Sequence, residues 1–150
     1  MAKILIKNQQ KQIPIARSMI QRIAKGILEE SGLQNPEVSI LLLDDAQIAG
    51  LNKQYLNRSG PTDVISFPLH DDFFGHIQPQ LLGDVVISVE TALRQACKRG
   101  AALEEELAAL LIHGILHLLG YDHEASHRER KKMQAKEKEI FKIITRISKK

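Results

Sequence analysis

The stretch HGILHLLGYDH, residues 113–123, places three of the chain's six histidines on an apolar background. Neutral imidazole is the commonest protein ligand for transition metals. The spacing HxxxHxxGxxH is that of the ligands in a zinc-dependent protease. In that chemistry a glutamate follows the first histidine and takes a proton from the attacking water, but position 114 here is glycine. The motif reads as a three-histidine metal site without its expected base.

The spacing has a geometric reason. On a helix, residues i and i+4 differ by about 40° of rotation and 6 Å of rise, so His113 and His117 project from one face. His123 cannot join them on a continuing helix, because six more residues turn it by about 240°. Gly120 supplies the break, since glycine accepts the left-handed conformation that ends a helix. Three neutral imidazoles favour zinc, with nickel, copper and iron also compatible by ligand type. Three protein ligands leave one position for water, the arrangement of a catalytic site. His127 is the alternative third ligand, one turn beyond His123 if the last helix starts early. His70 and His76 read as solvent-facing.

The proton carrier is left open. Asp122 and Glu124 flank His123, but an acid beside a ligating histidine more often orients the ring than acts as base. Without a base at position 114, peptide hydrolysis is disfavoured. Phosphodiester cleavage depends less on it, because a metal stabilises phosphorane charge and RNA carries its own nucleophile in the 2′-hydroxyl.

The elements that must position these residues follow from patterning. KILIK at 3–7 alternates as a strand does. A helix is expected from Pro14 to about Glu30, with Ile15, Met19, Ile23 and Ile27 on one face and Gly32 after it. VSILLL at 38–43 reads as a strand, and Asp44 with Gln47 as a capping box opening a helix to about Asn57. NRSGPTD at 57–63 is a turn, and VISF at 64–67 a strand made an edge by Pro68. Residues 69–82, with Phe73 and Phe74, read as a long surface loop. DVVISV at 84–89 is a strand, then 90–99 a helix ending at Gly100. Residues 103–119, apolar almost all round, form a buried central helix carrying HxxxH. Residues 127–148 form a basic helix with Met133, Ile140, Ile144 and Ile147 inward.

At 150 residues the chain has the usual size of one domain, read as residues 1–150. The lone Cys97 cannot form an internal disulfide, suits a reducing compartment and reads as a small apolar helix residue. MAKILIKNQQ lacks the apolar core of a signal peptide, and no apolar run approaches the roughly 20 residues that span a bilayer. The expectation is a cytoplasmic protein. The net charge of +3 is unevenly spread: residues 1–28 carry six basic and no acidic side chains, 29–127 five and fifteen, and 128–150 ten and three. If the two basic ends meet, they make a cationic surface suited to a phosphate backbone; otherwise they are solvated helix faces.

Together with PTDVISFP at 61–68, LNKQY at 51–55 and LGDVVIS at 82–88, the histidine motif resembles the bacterial YbeY family of metal-dependent endoribonucleases. The resemblance implies an α+β fold, a mixed sheet of about four strands flanked by helices with the histidine helix beneath it. It makes His113, His117 and His123 the ligands of one zinc ion. It also implies single-strand-specific cleavage of RNA in 16S ribosomal RNA 3′-end maturation and ribosome quality control, with precursor 16S RNA and the small subunit as partners. In that family pattern an arginine facing the substrate follows the tyrosine of LNxxY. Here Leu56 stands there, and Arg58 is its expected substitute. Arg58 and Asp122 are the two candidates for direct roles in catalysis. The rival readings are a zincin-type protease and a non-catalytic, zinc-stabilised ribosome-binding module.

Overall fold

The computed structural model describes residues 2–69 and 81–148, the last three by backbone alone. His70, Phe73, Phe74 and His76 lie outside the described residues, as does the side chain of Ile147. Nine elements follow in chain order: β1 (Lys3–Asn8), α1 (Arg17–Glu30), β2 (Glu37–Leu43), α2 (Asp45–Leu56), β3 (Val64–Pro68), β4 (Leu81–Ser88), α3 (Val89–Arg99), α4 (Leu103–Leu118) and α5 (His127–Ser148). The fold is α+β. Its four-stranded mixed sheet has the order β1-β2-β4-β3, with β1, β2 and β4 parallel and β3 antiparallel to β4. Pro68 thus sits on an edge strand, where its missing N–H breaks no inner ladder.

Strand alternation separates the faces of this sheet. Val38, Ile40, Leu42, Val85 and Ile87 join α1, α4 and α5 in the main core, and a smaller cluster of Leu43, Ile48, Ile65 and Val86 lies with α2. The capping box of α2 is present: Gln47 N–H donates to Asp44 Oδ1 (2.8 Å) and Asp44 N–H to Gln47 Oε1 (3.0 Å). Asn57 then ends α2 in the left-handed region, φ 53°. On α3 the buried residues are Val89, Ala92 and Ala96, while Cys97 is exposed. Among the described residues no helix is long and apolar enough to cross a membrane.

Three of the boundary differences from expectation have a visible cause. The helix expected from Pro14 begins at Arg17, with Ala16 extended at φ −76°, ψ 120°. Gln10 explains the delay: its Nε2 donates to the Ile13 carbonyl (2.6 Å) and its Oε1 accepts from Ile13 N–H (3.0 Å), closing a turn before the helix. Ile15 therefore packs from outside α1, and the helix buries Ile20, Ile23, Ala24, Ile27 and Leu28. Strand β4 begins at Leu81, inside the expected loop. Glu37 pairs with Leu81 and Val38 with Gly83, so Leu82 is the extra residue of a bulge. Gly83 there has φ +139°, and a Cβ on it would run into the Phe67 carbonyl. Finally, β4 stops at Ser88, whose Oγ caps α3 by accepting from Thr91 N–H at 3.3 Å.

Candidate metal centre and cleft

Helix α4 is buried along Leu107, Leu111, Ile112 and Ile115, each at most 1% exposed. It lies against the sheet through Gly114. A Cβ there would stand 2.7 Å from Val85 Cγ1 and 3.3 Å from both Ser66 Oγ and Val64 Cγ2. Ser66 Oγ donates to the Gly114 carbonyl at 2.8 Å, fixing helix to strand. The flanking His113 and His117 are half-buried and project into a cleft.

The end of α4 then brings back the third ring. Tyr121 N–H donates to the Leu116 carbonyl (3.0 Å) and Gly120 N–H to the His117 carbonyl (3.1 Å), the paired bonds of a Schellman motif. Gly120 occupies the left-handed position with φ +103°. This turn delivers His123 to the other two.

The three rings converge. His117 Nε2 lies 3.2 Å from His113 Nε2 and 3.0 Å from His123 Nδ1. The opposite nitrogens of two rings are already engaged: His113 Nδ1 with Glu137 Oε2 at 3.1 Å, and His117 Nδ1 with the Tyr121 carbonyl at 2.9 Å. A carboxylate and a carbonyl only accept, so both Nδ1 atoms carry the proton and both Nε2 atoms present lone pairs. Two lone pairs 3.2 Å apart repel. A proton shared with His123 relieves one of the two contacts at His117, whereas a cation between all three turns both into attraction.

The spacing fits such an ion. Metal–nitrogen bonds of about 2.0–2.1 Å in tetrahedral geometry set ligand nitrogens roughly 3.3 Å apart. Burial holds the His117 imidazole below the ordinary histidine range, with His113 and His123 acting in the same direction and the Tyr121 carbonyl partly opposing. The ring is thus kept in the neutral form a metal needs. Among the described residues, His113, His117 and His123 form the one group of three or more potential ligands close enough for an ion, and His127 is exposed outside it.

The rings open onto a cleft of about 730 Å³, lined also by residues between Leu56 and Ser66 and by Gly120 to Glu124. Arg58 and Asp122 both line it. Asp122 holds no ring; its Oδ1 accepts from Glu124 N–H at 2.9 Å, while Glu124 Oε1 is 3.9 Å from His123 Nε2. Asp63 Oδ1 accepts from Val64 N–H (2.7 Å), and its Oδ2 accepts from Gln95 (3.3 Å). Among the described residues, the acid that meets a histidine ring at hydrogen-bond distance is Glu137, fourteen positions after His123 on α5, which the sequence motifs did not point to. A signal was present: Glu137 falls in the inward stripe of Met133, Ile140 and Ile144, where a carboxylate is out of pattern.

Known proteins match along almost the whole chain. The family described as Endoribonuclease YbeY matches residues 5–145. Among curated proteins named Endoribonuclease YbeY, that of Geobacter metallireducens is 42% identical over 96% of this chain and 97% of its own. That of Syntrophotalea carbinolica is 43% identical with the same coverage, and that of Aquifex aeolicus 42% identical over 96% and 93%. A solution structure of the Thermotoga maritima protein TM1509 is similar with TM-score 0.64 and 28% identity, over 96% of this chain and 89% of that one.

Proposed function

The chain belongs to the YbeY endoribonuclease family, and on that premise we propose that it is a metal-dependent endoribonuclease cutting single-stranded RNA. His113, His117 and His123 hold one divalent ion in this reading, zinc first and nickel as the alternative. The observation that carries it is the convergence of three ring nitrogens, two with their lone pairs exposed by fixed tautomers, at the wall of an open cleft. When bound, the ion supplies Lewis acidity toward a phosphoryl oxygen or a more acidic water.

The chain's own residues supply the rest. The Tyr121 carbonyl keeps His117 turned toward its partners. Arg58 in the cleft lining offers a guanidinium to a phosphate, taking the part of the family arginine absent at Leu56. Asp122, an exposed carboxylate on the cleft wall, is the candidate to carry a proton. Among the described residues the cleft's charged side chains otherwise oppose RNA: Asp63, Asp122 and Glu124 stand against Arg58. A divalent ion offsets that imbalance, and nearby cations extend it. Helices α1 and α5, which carry much of the basic charge of the two ends, pack together. Arg22 is paired with Glu104 and Lys136 with Glu139, but Arg128, Lys131 and Lys132 are exposed near the start of α5.

The biological substrate in this reading is precursor 16S ribosomal RNA on the small subunit, at its 3′ end and in ribosome quality control, in the cytoplasm. Family resemblance supports that choice. Protease chemistry of zincin type needs a carboxylate at position 114, where a side chain meets Val85. The test offers metal-loaded wild type and His117→Ala to single-stranded RNA, its 2′-deoxy counterpart and casein. Cleavage of RNA alone, by wild type alone, is expected; cleavage of casein, or equal RNA cleavage by the variant, counts against the proposal.

A further inference from the structure

We propose that Glu137 is a positioning residue for the metal centre. Its carboxylate accepts the Nδ1 proton of His113 and so fixes the tautomer and ring orientation that turn Nε2 toward His117 and His123. The inference rests on the reading of the three histidines as metal ligands. It adds a residue from another helix, 24 positions away.

Three observations carry it. Glu137 occupies an inward position on α5, between Met133 at 0% and Ile140 at 2% exposure. A carboxylate at such a place costs free energy unless a partner compensates it. The partner is His113: Oε2 lies 3.1 Å from Nδ1, with both side chains 29% exposed. Second, among the described residues no lysine or arginine pairs with Glu137, although Arg99, Lys138 and Lys142 line the same shallow cavity and the two lysines are exposed. Arg99 pairs with the buried Glu106 (3.3 Å), and Lys136 pairs with Glu139 (3.5 Å).

Third, the rings are held unequally. His117 leans on a main-chain carbonyl that no substitution removes, and His123 faces an exposed Glu124 at 3.9 Å. Apart from the contacts among the three rings, and among the described residues, His113 alone has a half-buried side chain at hydrogen-bond distance. A carboxylate in this place also makes the ring a stronger donor to a metal, and losing such a partner typically weakens metal binding about 10–100-fold. Glu137 further ties α4 to α5, so the helix bearing the exposed cations is linked to the ligand set.

The test measures zinc affinity of wild type, Glu137→Gln and Glu137→Ala by competition with a chromophoric chelator. Melting of the metal-free forms and the His113 tautomer by nitrogen-detected NMR accompany it. The expected result is a loss of about 10–100-fold for Glu137→Ala, a smaller loss for Glu137→Gln, which keeps an acceptor, and a mixed His113 tautomer in the alanine variant. Metal-free melting should stay within a few degrees of wild type for Glu137→Gln. Wild-type zinc affinity in Glu137→Ala, equal losses in both variants, or an unchanged tautomer overturns the inference. Failure of wild type itself to bind zinc overturns the metal reading, and this inference with it.

Discussion

A side chain on Gly114 would meet Val85: the nearest approach, Cβ to Cγ1, is 2.7 Å, and Val85 is fully buried on β4. The glycine beside the first histidine is therefore where the histidine helix rests on the sheet. Ser66, donating 2.8 Å to the Gly114 carbonyl, shows how close that approach is. The glutamate of a zinc protease cannot occupy this position without lifting α4 off β4 and β3. Absence of the base and placement of the histidines have one steric cause.

Gly114→Ala tests that cause. In a free helix the change is favourable by up to about 1 kcal/mol. Here the added methyl overpacks a stiff, β-branched neighbour, at a cost of about 1–3 kcal/mol. Net destabilisation is expected, seen as a lower midpoint in urea at unchanged slope. A raised midpoint would show that α4 has room to move.

Asp45 gives a pH-dependent contribution. Its Oδ1 accepts from Ser88 Oγ and Thr91 Oγ1, each at 2.6 Å, and its Oδ2 pairs with Arg94 at 2.8 Å, joining α2 to the start of α3. Burial alone pushes its carboxyl up, but the bonds from Ser88, Thr91 and Arg94, with the Arg94 charge, outweigh it and hold it below the ordinary aspartate value of 3.8. A folded pKa below the unfolded one means stabilisation that is full above the unfolded value and lost as pH falls through the folded one. Asp45→Asn should therefore cost about 1–2 kcal/mol at pH 7. The gap from wild type should narrow below about pH 4. A gap independent of pH between 7 and 2 would remove the charge from the explanation.

The histidine cluster was legible because it is local. Two residues at i, i+4 and a glycine turn are determined within eleven positions, and the structure brings those three rings together. Edge placement of β3 was readable for a similar reason, since Pro68 states its own constraint. What escaped depends on tertiary contact. Glu137 shows in sequence only as a carboxylate in an apolar stripe, and its partner His113 becomes visible when α5 packs on α4. Gly83, just before the expected strand, finds its place only in the bulge, and Pro14 looks like a helix start until the Gln10 side chain closes the turn before it. The spatial meaning of Gly114 belongs to the same class: sequence showed a missing base, and only packing shows why.

Arg58 is expected to act on substrate. It lines the same cleft as the histidines, just after the left-handed Asn57, and its N–H donates to the Asn52 carbonyl at 3.2 Å. Arg58→Ala should leave the melting temperature within a degree or two, because the side chain is exposed. Its affinity for single-stranded RNA should fall about tenfold, consistent with loss of a charged hydrogen bond of about 1.5 kcal/mol. Arg58→Lys should restore only part, lacking the planar fork. Unchanged RNA binding and cleavage in Arg58→Ala would sink the substitution for the family arginine.

Metal removal should act on binding as well as on cleavage. With Asp63, Asp122 and Glu124 against Arg58 among the described lining residues, the metal-free cleft presents a phosphate with more negative than positive groups there. A chelator that strips the ion should abolish RNA cleavage and also weaken RNA binding. What binding remains should come from the exposed cations of α5, and its dependence on salt should stay steep, because release of counterions from phosphates drives it. Fluorescence anisotropy of a labelled single-stranded RNA, titrated between about 50 and 200 mM salt with and without the chelator, separates the two contributions. The metal-loaded and stripped curves should run roughly parallel, offset in affinity. Coincident curves would mean that the ion does not meet the RNA, and two flat curves would remove the basic helix from the docking surface.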